Sequence, residues 1–228
     1  MIRLADKSDI TDITKKLRSN PYMSIMYRAG VGKTYVCDDG TVLILNGTDL
    51  HISATKASAE IISFATLTAE HICRKTRSAK GFVFAEKLCN EEEDASVPDF
   101  EDCKQLYDVV TACNEGITQS FDEFYVGLRK MLDCGKRHAT IIYKGDKAVS
   151  CAMTVFEGTG FAYIAGVATL EEYRGNGYAS NAVSDLCKAL YGKKAYVMFR
   201  PELEGFYSAL GFEAVAKYIY EKVPRRGI

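Results

Sequence analysis

These 228 residues contain no long apolar run, almost no net charge, no closely spaced cysteine pairs and only three histidines. No stretch approaches the roughly 20 apolar residues that a membrane-crossing helix needs, so no integral helical membrane protein is expected. The 29 basic and 30 acidic side chains nearly cancel. No global field would therefore draw the chain onto nucleic acid or an anionic membrane, and neither is expected as a partner. The eight cysteines are scattered, without a Cys-x-x-Cys pair, which argues against a disulfide scaffold and for reduced thiols in the cytoplasm. Cys73 lies two residues from His71, but two candidate ligands do not make a zinc site, and no metal is expected. The first residues are already charged and lack an apolar run, unlike a secretory signal.

What is present is an ordinary apolar share with clear periodicity. Residues 1–19 read as a short strand and a helix with Ile10, Ile13 and Leu17 on one face, ended by Asn20-Pro21. Runs at 34–37 and 41–45 flank Asp38-Asp39-Gly40, a hairpin signature, and a third strand follows at 50–53. Residues 56–75 carry a broad helical stripe, with Arg74, Lys75, Arg77 and Lys80 read as its solvated end, and 82–85 reads as a strand. Gly30-Val31-Gly32-Lys33-Thr34 ends like a nucleotide-binding loop. The glycine that such a loop needs five residues before Gly32 is Tyr27, and a strand follows instead of a helix.

The acidic, proline-containing stretch 90–99 marks a boundary, with a smaller N-terminal α/β domain at 1–90. Beyond it, helices are expected at 100–113 and 121–134, then strands at 139–143, 148–156 and 161–168 joined by glycine-containing turns. A strand at 195–199 and a final strand at 214–223 complete the sheet.

Chemistry concentrates where the strand at 161–168 meets a helix at 178–190 through Arg174-Gly175-Asn176-Gly177-Tyr178-Ala179-Ser180. A glycine turn opening a helix leaves backbone N–H groups unpaired at the positive end of the helix dipole, a natural phosphate site. By itself this turn could equally bind nothing. A second element, Tyr207-Ser208-Ala209-Leu210-Gly211-Phe212, follows at a fitting distance.

Together these resemble the GCN5-related N-acetyltransferase (GNAT) family. Its acyl-CoA loop, Arg/Gln-x-x-Gly-x-Gly/Ala, is met by Arg174, Gly177 and Ala179, and its Tyr-x-x-x-Gly-Phe motif by Tyr207, Gly211 and Phe212. The resemblance covers about residues 97–228. It implies an α/β (α+β) fold with a mixed, mostly antiparallel central sheet flanked by helices; the 1–90 domain would be an additional module, either a degenerate GNAT-like half or an unrelated cap. It also implies that the strands before the loop and after its helix splay apart to admit the pantetheine arm.

The activity implied is acyl transfer, acetyl in the first instance, from acetyl-CoA to a primary amine. The backbone of Val167 and Thr169 would pair with acetyl-pantetheine, residues Arg174, Gly175, Asn176, Gly177, Tyr178 and Ala179 would wrap the pyrophosphate, and Ser180 would add a hydroxyl. Tyr207 would be the general acid, its phenol of pKa about 10 being a fair donor to a departing thiolate. No Cys/His pair suggests an acyl-enzyme. No base is assigned: Glu157, Glu171, Glu172 and Glu204 all read as solvated. Arg200 stands where many members have a pantetheine-contacting asparagine, and Glu171 where a proline is common. The acceptor is expected over the turn 114–120. A non-catalytic acyl-CoA sensor is the alternative, and the oligomeric state, a homodimer included, is open.

Overall fold

The computed structural model of the protein describes residues 1–92, 96–113 and 119–223. Its chain divides into two compact units. The first comprises 1–85, 199–204 and the chain from Ala214 on; the second comprises 86–198 and 205–213.

The first unit contains β1 (Ile2–Leu4), α1 (Ile10–Leu17), α2 (Pro21–Arg28), β2 (Lys33–Cys37), β3 (Val42–Asn46), β4 (Asp49–Ile52), α3 (Ala59–Thr68) and β5 (His71–Thr76). β1 through β4 pair antiparallel in sequence order, β5 joins β4 in parallel, and β11 (Glu213–Lys222) lies antiparallel to β5. Leu43, Leu50, Ile52, Ile61, Ala65 and Ile72 form the core under α3.

Two sequence expectations change here, and one stretch to which the sequence assigns no element is helical. The Tyr- and Met-rich segment after Asn20 is a helix: Pro21 takes the first helical position, where its missing N–H costs nothing, and Asn20 Oδ1 accepts from Met23 N at 3.3 Å. The helix expected over 56–75 ends at Thr68, and His71–Thr76 is strand. Its short apolar run satisfied both periods, and pairing with β4 and β11 decided between them. The basic cluster therefore belongs to β5 and the turn after it: Arg74 ion-pairs with Glu221 at 2.6 Å, and Lys75 Nζ donates to Ser19 O at 2.8 Å. Lys33, the lysine of the discarded nucleotide-loop match, opens β2.

His51 and Tyr218 sit deep in this unit, 2% and 1% exposed. The Tyr218 hydroxyl donates to Asn20 Oδ1 at 2.6 Å and accepts from Tyr22 N at 3.2 Å. His51 packs edge-on against Tyr22, and its Nδ1 has no hydrogen-bond partner among the described residues. Burial pushes its pKa from 6.5 down to about 4. Above 6.5 the imidazole is neutral whether folded or unfolded; as pH falls toward 4 only the unfolded chain takes the proton. Stability should drop by about 3 kcal/mol over that window. Urea unfolding from pH 7.5 to 4.5 checks this, since a His51→Gln variant should lose most of the slope. An equal slope in the variant would assign it to other groups.

The second unit holds α4 (Phe100–Cys113), α5 (Phe121–Asp133), β7 (Ala139–Lys144), β8 (Lys147–Gly158), β9 (Phe161–Thr169), α6 (Tyr178–Ala189) and most of both β10 (Lys194–Phe199) and α7 (Glu204–Ala209); β6 (Phe82–Leu88) begins in the first unit and ends in the second. β7, β8 and β9 are antiparallel neighbours, and β10 joins β9 in parallel. Residues 148–154 of β8 are all buried. Side chains alternate across a strand, so uninterrupted burial means that both faces are covered. α4 supplies Leu106, Val109 and Val110 to one core, and Thr140 Oγ1 of β7 donates to Ala182 O of α6 at 2.7 Å. α5 starts on a capping box in which Ser120 Oγ accepts from Glu123 N and Glu123 accepts from Ser120 N. Residues 93–95 of the expected boundary and 114–118 of the expected acceptor turn lie outside the described residues.

Candidate active site

β9 and α6 are joined by a 3-10 turn, Glu171–Tyr173, and then by Arg174 to Gly177. Gly175 and Gly177 have φ of 76° and 80°, left-handed conformations that side chains other than glycine adopt only at a cost. A Cβ on either would meet nothing within 4 Å, so it is the backbone angle, and not crowding, that calls for glycine. Arg174 Nε donates to Thr169 O at 3.1 Å, and Asn176 Nδ2 donates to the carbonyls of Tyr173 and Arg174 at 3.1 and 3.0 Å. These bonds tie the turn to the end of β9.

Gly177 is the N-cap of α6 and brings no capping side chain; the first intrahelical bond is from Asn181 N to Gly177 O at 3.0 Å. The N–H groups of Tyr178, Ala179 and Ser180 therefore have no partner within the helix, and no acidic residue occupies its first turn. A positive helix end with open amides can accommodate an anion. Lys144 and Lys147 lie 5.6 and 5.2 Å from the centre of the Tyr173 ring, next to the turn.

The β9–β10 ladder runs from Phe161↔Lys194 to Ile164↔Val197 and stops there, although β9 continues to Thr169. Residues 165–169 are left without a partner in β10, and the two strands part as expected. On its other side β9 is bulged. Ala168 pairs with Cys151 and Ala165 with Met153, so β9 carries one extra residue around Gly166 and Val167. Gly166 has φ of 66°, and a Cβ there would press on the Met153 side chain at 3.0 Å. The sequence reading missed this bulge, whose signal was a lone glycine inside a strand. Ser150 Oγ, 2.9 Å from Ala168 O and 2.7 Å from Thr169 Oγ1, steadies the strand beyond it.

Tyr207 stands on α7, 5% exposed, with edge-on ring contacts to Phe206 and Phe212 at 4.9 and 5.7 Å. Burial pushes its phenol up to about 12. Glu171, Glu172 and Glu204 are exposed, with Glu172 paired to Lys147 at 3.2 Å. Glu157 corrects the sequence reading: its side chain is 2% exposed. Burial opposes its charge, but hydrogen bonds from His138, Lys193 and Thr154 outweigh that and hold its pKa below the usual value. It pairs with Ala162, at the far end of β9 from the turn. Cys151, whose Sγ is 3.6 Å from Gly166 O, is buried and its thiol is pushed up to about 12.

The sequence profile of the acetyltransferase (GNAT) family matches residues 103–212, the stretch containing the parted strands, the glycine turn and Tyr207. These residues form a GNAT-family acetyltransferase domain. Solved structures agree on the fold over a longer span. A GCN5-related N-acetyltransferase from Sphaerobacter thermophilus aligns with a TM-score of 0.69 at 11% identity, covering 100% of this chain and 96% of its own. One from Kribbella flavida gives 0.59 at 13% identity over 90% and 95%, and a GNAT-family acetyltransferase from Colwellia psychrerythraea gives 0.59 at 12% over 98% and 100%. At such identities the likeness is one of fold. No curated protein matches the chain by sequence. The GNAT domain thus has the mixed, largely antiparallel sheet and flanking helices that its motifs implied, and among the described residues no helix is long and apolar enough to cross a membrane.

Proposed function

We propose that the GNAT domain transfers an acyl group, acetyl in the first instance, from acetyl-CoA to a primary amine by direct attack within a ternary complex. The observation that carries this reading is the joining of two features on one strand: β9 parts from β10 after Ile164 and then leads through Arg174–Gly177 into the uncapped start of α6. The opening suits an extended pantetheine arm, and the open amides suit its pyrophosphate.

In this reading Arg174 through Ser180 hold the pyrophosphate, and the backbone at Val167 and Thr169 holds acetyl-pantetheine. An N–H near Val167, turned by the bulge, stabilises the carbonyl oxygen as it becomes negative. The neutral amine adds to the carbonyl carbon, the C–S bond breaks, Tyr207 gives its proton to the leaving thiolate, and the proton that the amine nitrogen sheds on becoming an amide passes to solvent, from which Tyr207 is reprotonated. A phenol near 12 stays protonated at neutral pH and can act as that donor. The buried Cys151 thiol is a poor nucleophile, which favours direct transfer over an acyl-enzyme. Residues 97–228 would carry the transfer and 1–90 a smaller companion module. All eight cysteines are free, in keeping with a reducing compartment, and we place the protein in the cytoplasm.

A thermal-shift comparison tests the reading, because a ligand that binds only the folded state raises the melting temperature. Acetyl-CoA and CoA should both raise it, by several degrees at about 100-fold excess over Kd, while ATP should not. No shift with either CoA species, in folded protein free of copurified CoA, would overturn the site. A shift without thiol release from any amine would favour an acyl-CoA sensor.

A further inference from the structure

A cavity of about 410 Å³ opens between α4, the start of β8 and the 3-10 turn after β9. This is within the size range of small-molecule sites. It adjoins the end of β9: Leu170, in its wall, follows Thr169 directly, and Cys113 at the end of α4 donates its Sγ–H to Thr169 O at 3.3 Å. Buried Val109 and half-buried Leu170 give it apolar wall. Its charged groups are Asp108, Glu172 and Lys147, one cation against two anions.

The two carboxylates differ. Glu172 is paired with Lys147 at 3.2 Å, whereas Asp108 is exposed to solvent and its carboxylate has no hydrogen bond or ion pair among the described residues. Gln105 Oε1, also in the wall, already accepts from Ala148 N at 2.8 Å. The cavity therefore offers an apolar wall beside the strand end and, on its exposed side, one anion with no protein partner among the described residues.

We infer that this cavity takes the acceptor, and that the acceptor is an amine carrying a second positive charge on an aliphatic stem, with Asp108 binding the charge that does not react. The inference rests on the acyltransferase reading above. The stem packs on Val109 and Leu170, and the reacting amine, uncharged, reaches the thioester beside β9. Lys147 works against such a ligand, both by repelling it and by neutralising Glu172.

Titration calorimetry on the full chain tests this, first with CoA and then, in CoA-saturated protein, with 1,4-diaminobutane and n-butylamine. The diamine should bind about tenfold more tightly than the monoamine. Asp108→Asn should remove that preference while leaving CoA affinity unchanged, which also reports that the variant is folded. Lys147→Met should strengthen diamine binding by about fivefold, a gain that a merely structural lysine would not produce. CoA binding without a preference for the diamine, or a preference that survives Asp108→Asn, overturns the inference alone. Failure of the wild type to bind CoA overturns the acyltransferase reading and this inference with it.

Discussion

Gly177→Asp should abolish acetyl-CoA binding while leaving the protein folded. Aspartate is a favoured N-cap, and its carboxylate would accept from the first N–H groups of α6, the groups proposed to hold the pyrophosphate. It would also set a negative charge against the ligand's own. At about 4 Å and an effective dielectric near 20, each such repulsion is worth about 4 kcal/mol, so affinity should fall well over 100-fold. The left-handed φ of 80° adds a strain of about 1 to 2 kcal/mol, which lowers the melting temperature by a few degrees. Gly177→Ala carries that strain without the charge and separates the two effects, because it should lose stability but keep most of its affinity. Wild-type affinity in Gly177→Asp would remove the turn from the binding site.

Tyr207→Phe should lower kcat by about 10² to 10⁴ and leave the affinity for acetyl-CoA close to wild type. The phenylalanine keeps the edge-on contacts with Phe206 and Phe212, so the change removes a proton donor with little loss of packing. With the phenol pushed up to about 12, wild-type kcat should also show no alkaline fall at the usual tyrosine pKa of about 10. An unchanged kcat in Tyr207→Phe would make the residue an aromatic anchor and move the search for the acid elsewhere. A parallel loss of kcat and of acetyl-CoA affinity would point instead to a collapsed α7.

Much of the GNAT domain was legible because its signals are local. Each of β7, β8 and β9 is a run of apolar or branched residues closed by a glycine-containing turn, and α5 announces itself with Ser120 and Glu123. The turn from Arg174 to Gly177 could be read because left-handed backbone leaves a glycine at each such position. The hairpin of β2 and β3 was readable for similar reasons.

Less could be read where two local patterns competed. Residues 71–76 alternate well enough to pair as a strand, yet they also continue the apolar stripe of α3. Asn20-Pro21 reads as the end of one helix, whereas α1 stops at Leu17 and the pair caps and opens α2.

By itself, then, the sequence determined the kinds of element in the second half, the glycine turn and the aromatic motif, since backbone angle, capping and side-chain alternation are properties of a few neighbouring residues. Only the tertiary structure decided that β9 parts from β10 after Ile164, that Gly166 marks a bulge, that Glu157 is buried among His138, Lys193 and Thr154, and that Asp108 faces a cavity. Register, burial and ion pairing are set by residues distant in the chain, and their free energies come from solvent exclusion and contact geometry that no short window of sequence contains.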